Sequence, residues 1–246
     1  MWNIATKFPD PGRLLSGSYT PGPLATDEGF AAFNTTQFRG MGYVLGELNP
    51  DNLHDMNTWS DMYKVIRRCN TIFQRMDEAS DMTAADRFRI TGYTRFMRAY
   101  AYYLIVMDLG PVVILGDEVL PNNNGSYNNH RATYDESVDY ICNELEKASE
   151  SLPLEVLINE FGRPTKGAAY GLIARLRLIQ ASPLFNGGDA AKSYYGNWKR
   201  SIDGVHYISQ EYNEEKWAVA AAACERIMQM GYKLHTVPKR PDTPDL

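Results

Sequence analysis

Trp59, Met62, Tyr63, Ile66, Cys69, Ile72, Phe73 and Met76 recur at steps of three and four residues, the spacing that lines one face of an α-helix. The same period returns four more times along the 246-residue chain. It returns over about 84–107 (Phe88, Phe96, Tyr100, Tyr103, Leu104, Met107) and again over 134–148 (Val138, Ile141, Cys142, Leu145, Ala148). It then runs over 166–181 (Ala169, Leu172, Ile173, Leu176, Ile179) and from Asn213 to Gly231 (Trp217, Ala221, Cys224, Ile227). Stripes of this kind must be covered by other helices, so the fold class is all-α.

The punctuation agrees with the period. Gly110 and Pro111 stop the second helix, and the short β-branched run "PVVIL" after them reads as extended. Thr133 and Glu136 form a capping box that opens the third helix. Asn213 is placed to cap the fifth. "SPLFNGG" (182–188) ends the fourth, because Pro183 cannot continue a helix and Asn186, Gly187 and Gly188 accept left-handed backbone angles. A long excursion over 189–211, with Tyr194, Tyr195, Trp198 and Tyr207, then precedes the last helix. Small residues (Gly167, Ala168, Gly171, Ala218 and Ala220 to Ala223) would let helix axes approach closely, as in tetratricopeptide-like hairpins. No strict 34-residue repeat is present, so the expected architecture is a degenerate set of tetratricopeptide-like antiparallel helix pairs with long irregular loops. Residues 1–57 are expected to be irregular, with one short strand or helix near "GYVLGEL". The helical domain is expected over 58–235, and the Pro-rich 236–246 reads as the start of a linker to a further C-terminal part.

Charge and composition exclude several classes. The formal net charge is −5 and the basic residues are scattered, so no basic stripe exists to neutralise nucleic-acid phosphates. No apolar run approaches the ~20 residues that span a bilayer. Cys69, Cys142 and Cys224 lie far apart on apolar helical faces and read as buried free thiols.

Catalytic and metal signals are weak. His54, His130, His206 and His235 form no metal-spaced pair. "NPDNLHDMN" (49–57) gathers oxygen ligands but lacks the glycine and terminal glutamate of a calcium loop, so a solvated loop is the simpler reading. In "GRPTKGAA" Lys166 precedes Gly167, which breaks the phosphate-loop spacing. The carboxylates of "GDEVL" and "DESVD" read as solvated or capping groups. No metal and no cofactor is expected.

With 16 Tyr, 9 Phe and 4 Trp, the chain is rich in aromatics, and two loops combine them with amides and charges. Residues 39–59 hold Arg39, Tyr43, Asn49, Asp51, Asn52, Asp55, Asn57 and Trp59, and residues 122–131 hold five Asn with Tyr127 and Arg131. Sugars are bound by stacking their C–H faces on aromatic rings while amides, carboxylates and guanidinium groups bond the hydroxyls. The same residue types are also what ordinary loops are made of.

Five segments in order resemble the SusD/RagB family of outer-membrane nutrient-binding lipoproteins. They are "WSDMYKVIRRCNTIFQRM" (59–76), "GYTRFMRAYAYYLIVMDLGPVVIL" (92–115), "YDESVDYICNELEKASESLP" (134–153), "GRPTKGAAYGLIARLRL" (162–178) and "YNEEKWAVAAAACERIMQMGYKLH" (212–235). Tyr93 and Thr94 replace the family's usual Glu-Ala, and Ile114 stands where a Pro is common. The resemblance implies the N-terminal half of such a protein, with a lipidated leader and a C-terminal half outside this stretch. It implies non-catalytic capture of a glycan or oligosaccharide at the cell surface and delivery to a SusC-like TonB-dependent transporter. Within this chain the glycan contacts are expected from Arg39, Tyr43, Asn52, Asp55, Asn57 and Trp59, with Trp59 divided between stacking on sugar and packing in the core. A helical-repeat peptide adaptor and a glycan-degrading enzyme are the rival readings. The first predicts a concave groove lined by basic or Asn side chains, the second two carboxylates facing one cleft.

Overall fold

The computed structural model describes residues 2–8, 26–27, 29, 41–47, 49, 58–121, 129–234 and 236. Its α-helices are α1 (Met41–Val44), α2 (Trp59–Arg75), α3 (Ala84–Leu109), α4 (Tyr134–Ser149), α5 (Lys166–Ala181), α6 (Gly188–Tyr195) and α7 (Glu215–Met228), with a 3-10 helix over Trp2–Lys7. Among the described residues no strand forms, and β-structure is limited to isolated bridges such as Asn186 with Ser209 and Lys199 with His206. The chain is all-α.

Each long helix packs on its predecessor: α3 on α2, α4 on α3, α5 on α4 and α7 on α5. Cross-contacts show the antiparallel sense. Tyr63 meets Tyr102 while Asn70, further along α2, meets Arg98, earlier on α3. Asp135 meets Gln180 at one end of the α4–α5 pair, and Ser149 meets Tyr170 at the other. Helix α3 is central, buried through Tyr93, Met97, Arg98, Ala101, Tyr102, Ile105 and Val106. Ile4 of the 3-10 helix is buried, and Phe8 packs edge-on against Tyr100 at 5.0 Å.

The local signals explain the boundaries. Thr133 accepts from the Glu136 amide at 3.2 Å and Glu136 accepts from the Thr133 amide at 2.7 Å, the reciprocal capping box. Thr165 caps α5. Asn213 acts one step earlier than a standard cap: its side-chain oxygen accepts from the Glu215 amide at 2.9 Å, while Glu214 occupies the cap position. The small residues divide. A side chain at Gly167 would collide with Tyr232, whereas Gly171 faces open space and only Ala220 is buried on α7.

"SPLFNGG" launches a closed excursion rather than an open loop. Gly187 and Gly188 take left-handed angles (φ 71° and 79°), and the short helix α6 follows at once. Asn186, fully buried, donates to the Ala181 and Asn213 carbonyls at 3.2 and 2.9 Å and accepts from the Asn213 amide at 3.2 Å. One amide thus ties the foot of the excursion to its end.

Candidate functional site

Trp59, Tyr63 and Arg67 stand four residues apart, so they form one stripe down the first turns of α2. Opposite them runs the segment 112–121, which follows α3 without forming a strand. Between stripe and segment lies a half-open cavity of about 310 Å³, lined by Trp59, Tyr63, Arg67, Leu115, Glu118 and Asn129, with Val113 and Leu120 completing the aliphatic wall.

Hydrogen bonds set the width of this cavity. The Tyr63 hydroxyl donates to the Val113 carbonyl at 2.9 Å and accepts from the Val113 amide at 2.7 Å. The Tyr102 hydroxyl accepts from the Leu115 amide at 3.1 Å, and Arg67 donates to the Leu120 carbonyl. Burial pushes both phenols well above their ordinary range, with the backbone bonds opposing it, so they stay protonated. The Ser137 hydroxyl accepts from the Val112 amide at 3.2 Å, which joins the segment to α4.

Trp59 is held by its neighbours. The Arg131 guanidinium lies over its ring at 4.5 Å from the centroid, and Tyr63 tilts against it at 4.8 Å. Arg131 also donates to the Leu109 and Pro111 carbonyls at 2.9 and 3.2 Å, closing the C-terminal end of α3. Trp59 is half-buried against the core as well as lining the cavity.

This geometry joins the two loops that the sequence singles out. Trp59 ends the first, Asn129 and Arg131 end the second; Trp59 and Asn129 line the cavity, and Arg131 lies over the Trp59 ring. Of the other expected contacts, Arg39, Asn52, Asp55 and Asn57 lie outside the described residues, as does the side chain of Tyr43, whose backbone is in α1. Tyr63, Arg67, Glu118 and the wall Val113, Leu115 and Leu120 were not foreseen. The i, i+4, i+8 spacing from Trp59 to Arg67 is the signal that could have found the first two.

A second groove lies between α4, α5 and α7, with a volume of about 320 Å³. Asn143, Tyr170, Arg177 and Arg226 line it, and α4 carboxylates engage both arginines: Asp139 with Arg177 and Glu146 with Arg226, the latter at 2.6 Å. Among the described residues no group of three or more His, Cys, Asp or Glu is placed to hold a metal ion. Among the described residues no helix is long and apolar enough to cross a membrane.

The profile of a SusD-like family, described as "Starch-binding associating with outer membrane", matches residues 27–178. This chain belongs to that family. A SusD-like protein of Bacteroides ovatus is 26% identical over 134 residues, which cover 53% of this chain and 23% of that protein. Among solved structures, BT4246 is 30% identical with a TM-score of 0.60, over 70% of this chain and 29% of its own. A SusD-like protein of Bacteroides fragilis, 22% identical, superposes with a TM-score of 0.64 over 94% of this chain and 37% of its own. This SusD-like chain therefore spans between about a quarter and two fifths of these relatives' lengths.

Proposed function

We propose that this chain is the helical part of a surface protein that captures a glycan without cleaving it and passes it to a SusC-like TonB-dependent transporter of the outer membrane. The observation that carries the reading is the meeting of Trp59 and Asn129, end residues of the two polar–aromatic stretches, in one cavity. Its lining suits a sugar: an aromatic edge, aliphatic wall, one carboxylate to accept hydroxyls, and amide and guanidinium groups to donate. Family membership supports the same ligand class and an association with the outer membrane; a lipid anchor outside this stretch is part of the proposal. Among the described residues the cavity holds one carboxylate, Glu118, whereas glycoside hydrolysis uses two. We further propose the domain plan expected from the sequence: an irregular N-terminal segment over 1–57, a helical body over 58–235 and the start of a linker over 236–246.

The second groove gives the peptide-adaptor reading its one observation, since Asn143, Arg177 and Arg226 line it. Both arginines are already engaged by α4 carboxylates, so an incoming peptide would have to displace them. Glycan capture is the better-supported reading.

The test is a glycan array on the whole protein followed by titration with maltoheptaose and laminarin. Glu118→Gln and Asn129→Ala change exposed side chains that the fold does not need. Each is expected to weaken a glycan hit about three- to tenfold, the worth of one hydrogen bond. Trp59→Ala is expected to lose more, with some loss of stability from its core contacts. A saturable hit unmoved by all three substitutions would remove the cavity from the site. Silence across the array would turn attention to the α4–α5–α7 groove and peptides.

A further inference from the structure

The wall of the Trp59 cavity has no regular structure of its own, and we propose that Arg98, which does not line the cavity, is the residue that positions it. The proposal rests on the reading of this cavity as the carbohydrate contact. Arg98 lies on the central helix α3 and is 1% exposed. Its Nη1 donates to the Gly116 carbonyl at 2.9 Å, to the Asp117 carboxylate at 2.6 Å and to the Asn70 side-chain oxygen at 2.7 Å. Asn70 in turn donates to the Glu118 carbonyl at 2.6 Å. The turn 116–118 is therefore gripped by Arg98 directly and, through Asn70, at the next residue.

The other side of the same guanidinium is anchored. Its Nη2 donates to Glu144 on α4, itself 3% exposed, and Arg95 donates to both Glu144 oxygens at 3.0 Å. The Phe73 ring lies under Arg98 and Arg95, at 4.8 and 5.3 Å. A planar fork held on both edges in a dry interior has one orientation available, unlike a lysine ammonium on its flexible stem. Tyr63, Tyr102 and Arg67 each hold the segment by one residue on either side of that turn, at Val113, Leu115 and Leu120. Among the described residues, Arg98 is the one whose side chain bonds both backbone and side chain of the turn that lies between Leu115 and Glu118. Both of those residues line the cavity, so their positions are set from behind, and a ligand meets a wall already ordered.

Two variants of the full chain test this, Arg98→Lys and Asp117→Asn. Lysine keeps a positive charge beside Glu144 but cannot reach both sides. The Asp117 side chain is 69% exposed, so its substitution removes one contact without opening the core. Amide hydrogen exchange over 112–121 is expected to speed up about tenfold in both variants, with α5 amides unchanged in Asp117→Asn. Maltoheptaose or laminarin affinity is expected to fall about three- to tenfold, through faster dissociation. A purely structural role for Arg98 would instead speed exchange throughout the molecule and leave Asp117→Asn silent. Unchanged exchange over 112–121 in both variants overturns the proposal. So does faster exchange with unchanged affinity in a protein that binds, because the wall would then not govern binding. If the parent chain binds neither oligosaccharide, exchange alone decides whether Arg98 positions the wall, and it is the carbohydrate reading that falls.

Discussion

Asn186 has both ends of its amide engaged with backbone, and it joins the two feet of the excursion over 189–211. Replacing it by alanine leaves buried carbonyl and amide groups unpaired, so Asn186→Ala is expected to cost about 2–3 kcal/mol in urea unfolding. The two glycines beside it make a graded comparison. Both have left-handed angles, but a Cβ at Gly187 would sit 2.2 Å from the Glu211 backbone, while Gly188 meets nothing within 4 Å. Gly188→Ala is expected to cost about 1 kcal/mol, the left-handed penalty alone, and Gly187→Ala about 3 kcal/mol or more. Equal losses would mean that the Glu211 contact yields freely. The thiols are a second case. Burial pushes both Cys69 and Cys142 up to about 12, whereas Cys224 is only half-buried. Ellman's reagent on the native protein near pH 8 is expected to titrate Cys224 first, with the other two reacting only on unfolding. Fast reaction at Cys142 would show that the groove beside it opens in solution.

At the scale of elements, legibility follows how local the determinant is. Helix α5 runs over Lys166–Ala181, as the sequence predicts, because Thr165 caps it and "SPLFNGG" stops it within its own neighbourhood. Helix α6 was missed because it is eight residues long, buries only Ala191 and follows two glycines that usually mark a loop. The run 111–115 was legible as extended, but the segment 112–121 was not legible as a wall, since its partners Tyr63, Asn70, Arg98 and Tyr102 are remote in sequence. An arginine inside an apolar run gives no sign of which element it grips. The segment carries its own pH dependence. Partial burial works to raise the Asp117 carboxyl, but the Arg98 bond and charge, with Arg95 and Lys147 beyond, hold it below the ordinary value of 3.8. A depressed native pKa adds stability above the unfolded value, and that contribution is lost as pH falls through the native one. The tether is therefore intact at neutral pH and released only in acid, below about pH 4. A carboxyl NMR titration is expected to place Asp117 below 3.8 and to move it back toward that value in Arg98→Lys. A midpoint at or above 3.8 in the parent chain would mean that Arg98 does not hold the turn.

For the whole molecule, the question is which of two concave surfaces is used, and ionic strength separates them. The Trp59 cavity offers hydrogen bonds and apolar contact to a neutral polyol, and such interactions are indifferent to salt. The α4–α5–α7 groove offers arginines paired with Asp139 and Glu146, so a peptide bound there would exchange one set of ion pairs for another. Between roughly 0.05 and 0.5 M NaCl the screening length falls about threefold, which weakens exposed ion pairs while leaving neutral contacts alone. The affinity for maltoheptaose or laminarin is therefore expected to change less than about twofold over that range, and to respond to Glu118→Gln but not to Arg226→Ala. A ligand whose affinity falls about tenfold with salt, and falls again in Arg226→Ala, would belong to the groove. The two surfaces share no residue, one lying between α2 and the segment 112–121 and the other between α4, α5 and α7, so each substitution leaves the other surface intact. A SusD-like chain that answers to Glu118 and ignores salt captures its nutrient at the junction of its two polar–aromatic loops.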